Sequence, residues 1–267
     1  GQTTPAPWVN VVASPHIGTV VSDSGSACTW VENAHEFRLT PWHNDTLSDS
    51  SGEALYIRDE ESGGFWSPTP LPARGESGYV CRHGFGYSVF EHYQTGIASE
   101  LYTYVSMDAA VKFAVVKLRN HSGRPRRLSL TGYWELVLGE WRHSNLMHIV
   151  TEMDPHSGAL LARNAYGREC AGRVVFAHVS NEGYGQPEQT LTGNRTEFIG
   201  RNGSLANPAA MRREHLSGKI GACLDPCAAI QTRVELADGQ EREIVFVFGA
   251  ARNTDEAQHF IQKFGGP

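Results

Sequence analysis

Alternation of hydrophobic and polar residues with a period of two dominates this chain. The run "ALYIRDEESGGFWSP" fits two short strands joined by a Ser-Gly-Gly turn, because consecutive side chains of a strand point to opposite faces of a sheet. Residues 98–139 predict three more strands. Leu101, Thr103 and Val105 alternate in the first, and the second, 111–118, is rich in β-branched residues.

The third of these strands carries one continuous hydrophobic face, formed by Leu128, Leu130, Gly132, Trp134, Leu136 and Leu138. The opposite face is formed by Ser129, Thr131, Tyr133 and Glu135. The same alternation recurs in "GRVVFAHVS", "AAIQTRVELADGQ" and "REIVFVFGAA". Asp238-Gly239 is predicted as a hairpin turn between the last two runs.

Helical periodicity is confined to residues 254–264. Thr254 is the predicted N-cap, Asp255 and Glu256 suit the N-terminal end of the helix dipole, and Gly265 should end the helix. Strands do not alternate with helical segments, so a parallel sheet is not indicated. The sequence therefore predicts an all-β fold, a two-sheet antiparallel sandwich of about a dozen strands or more with one C-terminal helix.

Composition narrows the class of protein. The chain has 267 residues, of which 40% are hydrophobic and 19% charged, as in a soluble globular protein. The net charge is −6, and the basic run at 124–127 has no interleaved aromatic residues, so we expect no nucleic-acid partner. No apolar run approaches the ~20 residues that span a bilayer. We expect no membrane contact by this segment.

The cysteines and the two ends bear on location and on domain organisation. The five cysteines are odd in number and mostly far apart, which is typical of buried thiols in a reducing compartment. No signal peptide is indicated at the start, so we expect a cytoplasmic protein. The chain begins without Met and ends in the helical pattern. We therefore expect a part of a longer protein.

Three irregular segments carry side chains from which a site could be built. The first, residues 41–50, holds Trp42, His43, Asn44, Asp45 and Asp49. Paired carboxylates can supply the acid and base of glycoside chemistry, but Asp45 and Asp49 are four apart in a loop, where carboxylates commonly cap turns. Sugar contact through Trp42, Asn44 and Asp45 and simple turn capping are both open.

The second segment is "CRHGFGYSVFEHYQTG", with a glycine on each side of Phe85. Gly-Phe-Gly lets the backbone bend tightly or approach a ligand. Arg82, His83 and Tyr87 are the candidate ligand contacts, since Arg and His bind sugar hydroxyls or phosphate. A hairpin turn with partly exposed aromatic side chains is the alternative.

The third segment, residues 197–218, is a long irregular insertion with Arg201 and Asn202 near its start. Long loops in compact domains are more often functional than short ones. Ligand contact or contact with another domain and a plain surface loop are equally open here.

Metal and nucleophile chemistry find little support in the spacing of residues. Cys223 and Cys227 lack a second pair at zinc spacing, and His143 and His148 lack a His-Glu-x-x-His frame. No Gly-x-Ser-x-Gly occurs. We expect no metal ion and no complete active site in this chain.

Five longer motifs carry a resemblance to a known family: "TPAPWVNVVASPHIGTVVSDSGSACTW", "LTPWHNDTLSDSSGEALYIRD", "FWSPTP", "RHGFGYSVFEH" and "FIGRNGSLANPAAM". Together they resemble the N-terminal β-sandwich of the inverting disaccharide phosphorylases, glycoside hydrolase family 94 (formerly glycosyltransferase family 36). The match is closer to the C-terminal phosphorylase-like module of cyclic β-1,2-glucan synthases than to cellobiose and chitobiose phosphorylases. It runs from about residue 4 to residue 264.

The resemblance implies a large β-supersandwich of the galactose-mutarotase-like kind over residues 1–252. Residues 253–267 would begin a helical linker to an (α/α)6 barrel outside this chain. In that family one carboxylic acid of the barrel protonates the glycosidic oxygen, and inorganic phosphate attacks the anomeric carbon with inversion. The implied co-substrate is thus phosphate, with no other cofactor, and the longer protein would release α-glucose 1-phosphate from a β-glucan.

By the same resemblance, no catalytic residue is expected among these 267 residues. The expected role is to contact a β-glucan oligosaccharide, the barrel and, in a homodimer, a second copy. The longer protein could be held at the inner membrane by other segments. The substrate-binding candidates, chosen by residue type and loop placement, are Trp42, Asn44, Asp45, Arg82, His83, Tyr87, Arg201 and Asn202.

Two alternatives remain beside this interpretation. Loops rich in Trp and Tyr also suit a free-standing carbohydrate-binding module. A mutarotase-like epimerase is suggested by fold analogy alone, and it would need His83 paired with Glu91 or His92 in one concavity.

Overall fold

The computed structural model describes residues 3–167, 171–181 and 189–265. Within them, the strands are β1 (Val9–Ala13), β2 (Ile17–Ser22), β3 (Ala27–Val31), β4 (Glu53–Asp59), β5 (Phe65–Trp66), β6 (Tyr79–Gly84), β7 (Tyr87–Gln94), β8 (Ile97–Val105), β9 (Val111–Asn120), β10 (Arg126–Glu135), β11 (Ile149–Met153), β12 (Leu160–Asn164), β13 (Val174–Asn181), β14 (Gln189–Asn194), β15 (Pro226–Leu236) and β16 (Glu241–Ala251). The α-helices are α1 (Arg142–Asn145), α2 (Arg195–Ile199) and α3 (Thr254–Gly265), and two short 3-10 segments are Leu146–His148 and Ala209–Arg212. None of the described helices combines the length and the apolar character needed to cross a bilayer.

The described strands pair in antiparallel fashion and form three sheets. The orders are β1-β2-β3, β14-β15-β10-β4-β5 and β11-β12-β13-β16-β9-β8-β7-β6. The predicted hairpin at 54–68 is β4–β5, and the three strands predicted within 98–139 are β8, β9 and β10. The all-β antiparallel prediction is confirmed, but a small third sheet joins the two that were predicted.

The main core lies between the five-stranded and the eight-stranded sheet. The predicted hydrophobic face of β10 points into it, and its buried leucines are Leu128, Leu130, Leu136 and Leu138. The indole of Trp134 stacks on Phe248 of β16, with ring centroids 5.0 Å apart. A Cβ atom at Gly132 would lie 2.6 Å from the Trp134 ring, so glycine leaves the space that the indole occupies.

The opposite face of β10 is also buried, which its polar residues did not predict. Residues 195–216 cross this outer side of the five-stranded sheet, and the ring of Phe198 stacks on Tyr133 with centroids 4.6 Å apart. The Tyr56 hydroxyl donates a hydrogen bond to the Leu205 carbonyl at 2.8 Å. Much of the long insertion therefore serves as a cover for a sheet face.

Helix α3 packs on the outer face of the eight-stranded sheet. Ala257 and Ile261 are buried there, and the Phe264 ring meets Phe113 of β9 edge-on at 5.4 Å between centroids. The period of the apolar residues at 254–264 thus predicted the helix correctly. Its amphipathic face is what holds it against the sheet.

The N-cap of α3 lies one residue before the predicted position. The side-chain oxygen of Asn253 accepts a hydrogen bond from the Glu256 N–H at 2.9 Å, so Asn253 caps the helix. The Thr254 hydroxyl instead accepts a hydrogen bond from Arg163 at 2.8 Å. Asn and Thr are both residue types that cap helices. Because the Thr254 hydroxyl is engaged by Arg163, Asn253 caps α3.

The prediction of a hairpin at Asp238-Gly239 is wrong. The strands on its two sides, β15 and β16, belong to different sheets, so this turn is a crossing between the sheets. The chain also crosses after β9, and Asn120 fixes both crossings. Its side-chain amide donates to the carbonyls of Arg124 at 2.7 Å and of Leu236 and Ala237 at 3.1 Å.

Asn120→Ala should lower the free energy of unfolding by about 2–3 kcal/mol, because buried carbonyls at both crossings lose their donor. Asn120 itself is fully buried. Urea unfolding followed by circular dichroism measures the change. Asn202→Gly is the matched control, since Asn202 is exposed at φ +58°, and it should change stability by no more than about 0.5 kcal/mol. Equal effects of the two substitutions would contradict the role of Asn120.

Candidate functional site

The predicted site residues lie in three different parts of the fold. Trp42, Asn44 and Asp45 come together around a hollow of about 260 Å³ beside the three-stranded sheet. This grouping follows from their place on one loop, which closes over the outer face of that sheet. The other candidates lie elsewhere, on the eight-stranded sheet and over the five-stranded sheet.

Asp45 is the cap of its own turn. Its carboxylate accepts hydrogen bonds from the Ser48 hydroxyl at 2.5 Å and from the Leu47 N–H at 2.9 Å. These bonds, the one from Ser48 foremost, lower the pKa of the Asp45 carboxyl. The carboxylate therefore stays ionised near neutral pH, which suits turn capping or an acceptor for sugar hydroxyls and does not suit a general acid.

Arg82, His83 and Tyr87 lie on β6 and β7, on both sides of the sheet. Arg82 forms an ion pair with Glu91, and the ring of Tyr87 covers Gly84 on that same face. His83 points to the other face, where its Nδ1 lies 2.9 Å from the Ser88 hydroxyl. The tip residue Phe85 is fully exposed, so the hairpin with an exposed aromatic side chain is confirmed.

His83 does not form the pair with Glu91 or His92 that a mutarotase-like epimerase would need. His83 and Glu91 point to opposite faces of the eight-stranded sheet, since in register they pair with Ser88 and Val80. His92 is buried against Tyr79, with the two rings stacked at 3.8 Å between centroids. Burial lowers the pKa of His92.

Arg201 and Asn202 follow α2 in the insertion that covers the five-stranded sheet. Asn202 is the left-handed residue of a turn in which the Gly203 N–H donates to the Gly200 carbonyl at 3.0 Å. Asn is among the residues that tolerate this conformation best. Arg201 is exposed beside it. Their position supports a surface role. Neither residue lines the hollow at Trp42.

A stronger cluster, missed in the sequence, lies at residues 141–148 and at Tyr166. We call Trp141, His143, His148 and Tyr166 the aromatic platform. Trp141 is 51% exposed, and the guanidinium carbon of Arg38 lies 5.7 Å from its ring centroid. A cation behind one face of an indole holds the ring in place and leaves the other face to solvent.

The second half of the aromatic platform is a stacked pair. The rings of His148 and Tyr166 are 4.2 Å apart and nearly parallel, and Tyr166 is 78% exposed. Both halves of the platform thus present a supported ring to solvent.

Two asparagines join the halves of the aromatic platform. The Asn145 amide donates to the Trp141 carbonyl at 2.9 Å, and the Asn164 amide donates to the Asn145 side-chain oxygen at 3.2 Å. The Asn164 side-chain oxygen in turn accepts the Tyr166 N–H at 3.1 Å. Because Asn164 is buried at the end of β12, this chain of bonds anchors both segments to the eight-stranded sheet.

A ring of ion pairs fixes α1, the helix that follows Trp141. We call Glu135, Arg142, Arg195 and Asp225 the Arg–carboxylate ring. Arg142 pairs with Glu135 at 2.5 Å and with Asp225, and Arg195 pairs with Glu135 at 3.0 Å and with Asp225 at 3.2 Å. Each guanidinium thus bridges two carboxylates, which its five N–H donors in a fixed planar arrangement allow.

The Arg–carboxylate ring lies at the end of the main sandwich. Glu135 is buried, whereas the two arginines are a quarter to a third exposed. Burial opposes the charge of Arg195, but the nearby carboxylates, Glu135 foremost, raise its pKa above the usual guanidinium value. Arg195 therefore stays charged. Both arginines keep part of their surface toward solvent, beside the aromatic platform.

This arrangement is suited to bind a sugar chain. Flat aromatic faces pack on the apolar side of pyranose rings, and guanidinium and imidazole groups donate to hydroxyls. The sequence held one signal for it, the cluster "GEWRHSN" directly after a buried strand. Tyr166 gave no signal, because only the pairing of β11 with β12 brings it beside His148.

Metal binding gains no candidate from the geometry. Among residues 3–167, 171–181 and 189–265, no three His, Cys, Asp or Glu side chains are grouped as ligands of one ion. Cys170 lies outside the described residues, and the four cysteines within them are free thiols. Burial raises the pKa of Cys28 to about 12 and of Cys81 to about 11, so neither is a reactive thiolate near neutral pH.

Known sequences give a consistent set of similarities. The sequence model described as "Glycosyl hydrolase 94, supersandwich domain" matches residues 1–267. The chain is 33% identical over 265 residues to the cyclic β-(1,2)-glucan synthase NdvB of Rhizobium meliloti (strain 1021), covering 98% of this chain and 9% of that protein. It is 24% identical over 262 residues to the N,N'-diacetylchitobiose phosphorylase of Vibrio furnissii, covering 94% and 32%. The chain thus spans well under half of either relative.

Among solved structures, the galactose mutarotase related enzyme from Lactobacillus acidophilus superposes with a TM-score of 0.54. The match covers 93% of this chain and 99% of that one at 8% identity. At this identity the similarity concerns the fold alone. It confirms the predicted galactose-mutarotase-like sandwich.

Proposed function

Because the chain belongs to the glycosyl hydrolase 94 supersandwich-domain family, we propose that it is the non-catalytic, carbohydrate-contacting domain of a phosphorylase-type enzyme that acts on β-glucans. The family match over all residues carries this proposal. The aromatic platform supports the sugar-contacting part, since it presents two supported rings to solvent.

The longer protein in this proposal performs the bond-breaking step on a separate (α/α)6 barrel. Inorganic phosphate is the co-substrate there, and inversion at the anomeric carbon gives α-glucose 1-phosphate, or the same site processes a β-1,2-glucan chain. Residues 253–267 begin the linker to that barrel. The sandwich would contact the barrel and, in a homodimer, a second copy.

Within this proposal the aromatic platform is a wall of the glucan-binding cleft. Trp141 and Tyr166 would pack on glucose rings, and Arg142 and Arg195 would bond hydroxyls with the N–H groups that the Arg–carboxylate ring leaves exposed. Preorganised rings reduce the ordering cost of binding. The sandwich then improves binding of the sugar chain and leaves phosphate binding to the barrel.

In the enzyme that contains the barrel, Trp141→Ala should raise KM for a β-1,2-glucan oligosaccharide about tenfold, the loss expected for one aromatic packing contact of about 1.4 kcal/mol. KM for phosphate should not change. Initial rates of glucose 1-phosphate release, with each substrate varied in turn, measure both constants.

Phe85→Ala is the matched control, because Phe85 is exposed on a hairpin tip away from the aromatic platform, and it should leave both constants unchanged. A Trp141→Ala enzyme with an unaltered KM for glucan would refute the role of the platform. Glucose 1-phosphate release at a comparable rate by this chain alone would refute the non-catalytic assignment.

A free-standing carbohydrate-binding module is the second candidate, favoured by the same exposed rings. It differs in what the isolated chain does. Calorimetry with β-1,2-linked glucose oligosaccharides should show binding no tighter than about 1 mM, or −4 kcal/mol, for a domain that completes a cleft. Tighter binding by the isolated chain would favour the module.

A further inference from the structure

The hollow beside the three-stranded sheet has the character of a small-molecule site. Its lining includes the apolar side chains of Val9 of β1, Val20 of β2 and Trp42, which is 43% exposed. Its volume of about 260 Å³ is just under the ~300–1,000 Å³ of most ligand pockets. A single small ring fits this space better than an extended chain does.

The loop that closes the hollow is held to the sheet at several points. The Thr40 hydroxyl at the base of the loop accepts the Thr29 N–H at 2.8 Å. Farther along, the Ser22 hydroxyl donates to the Asp49 carboxylate at 2.6 Å. With the turn that Asp45 caps, these bonds hold the loop that carries Trp42 before any ligand arrives, which lowers the entropy lost on binding.

The polar residues that line the hollow suit hydroxyl groups and disfavour negative charge. The Asn44 amide makes no hydrogen bond with any residue in the described ranges, so its donors and acceptor can serve a ligand in the hollow that it lines. Asp45 and Asp49 also line the hollow, and two carboxylates repel an anionic ligand. The combination of an apolar wall, a free amide and acceptor carboxylates suits an uncharged polyol ring.

We propose that this hollow is a second carbohydrate site that binds one neutral pyranose unit, with Trp42 packed on the sugar ring and Asn44 and Asp49 bonded to its hydroxyls. The site is independent of the aromatic platform and of the proposed cleft function. Its ligand is a monosaccharide or the end unit of a chain, because the loop closes one side of the space.

Methyl β-D-glucopyranoside is the probe for this site, in a ¹H–¹⁵N NMR titration of the chain. The Trp42 indole N–H, assigned by its loss in Trp42→Phe, should shift with a Kd in the millimolar range. Trp42→Ala and Asn44→Ala should each weaken binding about tenfold. The negatively charged methyl β-D-glucuronide should bind at least about tenfold more weakly than the neutral probe.

Trp141→Ala is the matched control and should leave the Kd of the neutral probe unchanged. An indole of Trp42 that does not shift, or a titration that Trp42→Ala does not weaken, overturns the site. Equal binding of the glucuronide overturns the selection for a neutral sugar. Loss of glucan binding on Trp141→Ala concerns the proposed cleft and does not concern this hollow. The two proposals can therefore be refuted independently.

Discussion

Lys112→Met should lower the free energy of unfolding by about 3–5 kcal/mol, because it leaves a buried carboxylate without its counter-charge. The Lys112 ammonium on β9 lies 2.7 Å from the Glu53 carboxylate and 2.9 Å from the Thr19 hydroxyl. The other Glu53 oxygen accepts from Thr29 and Thr40 at 2.6 and 2.7 Å. Both charged residues are less than 8% exposed. This network joins all three sheets at one point.

Urea unfolding at neutral pH measures the effect, and the same strand supplies the control. Lys117 is 40% exposed and pairs with Glu243 at 3.5 Å, so Lys117→Met should cost no more than about 1 kcal/mol. Adding Glu53→Gln to Lys112→Met should recover part of the loss, since the amide carries no charge. If the two single lysine substitutions cost the same, the buried pair does not hold the sheets together.

Trp134→Ala should destabilise the fold by about 3–5 kcal/mol, the usual range for removing a large aromatic side chain from a core. The indole fills the space between β10 and β16, stacked on Phe248 and lying over Gly132. A cavity would remain there, because strands on both sides are fixed by their ladders of hydrogen bonds. The core cannot collapse onto the space.

Chemical unfolding monitored by circular dichroism measures this loss, with Trp141→Ala as the control. Trp141 is half exposed, and its removal should change stability by no more than about 0.5 kcal/mol. A Trp134→Ala protein that unfolds within about 1 kcal/mol of the unmodified protein would show that the facing sheets can repack.

The candidate site was predicted less well than the fold. The loop of Trp42, Asn44 and Asp45 was found because its residue types stand together in the sequence, and the structure places them around one hollow. The aromatic platform was missed because Trp141 and Tyr166 come together only through Asn145 and Asn164. A spacing of 25 residues in an irregular region carries no periodic signal.

The sequence by itself determined the antiparallel strands, the core face of β10 and the C-terminal helix. Each of these rests on side chains close together in the chain, and a period of two or of 3.6 reports directly which side of an element is apolar. The family match likewise follows from the residues alone.

Only the tertiary structure decided which strands share a sheet and what covers each face. The turn at Asp238-Gly239 has hairpin chemistry, yet the strands beside it pair with other partners and leave it as a crossing. From its residue type alone Lys112 would be expected on the surface. It is buried because the fold brings it to Glu53, 59 residues away in the sequence. Alternation fixes the orientation of a side chain relative to its own strand, whereas pairing depends on contacts that no local pattern records.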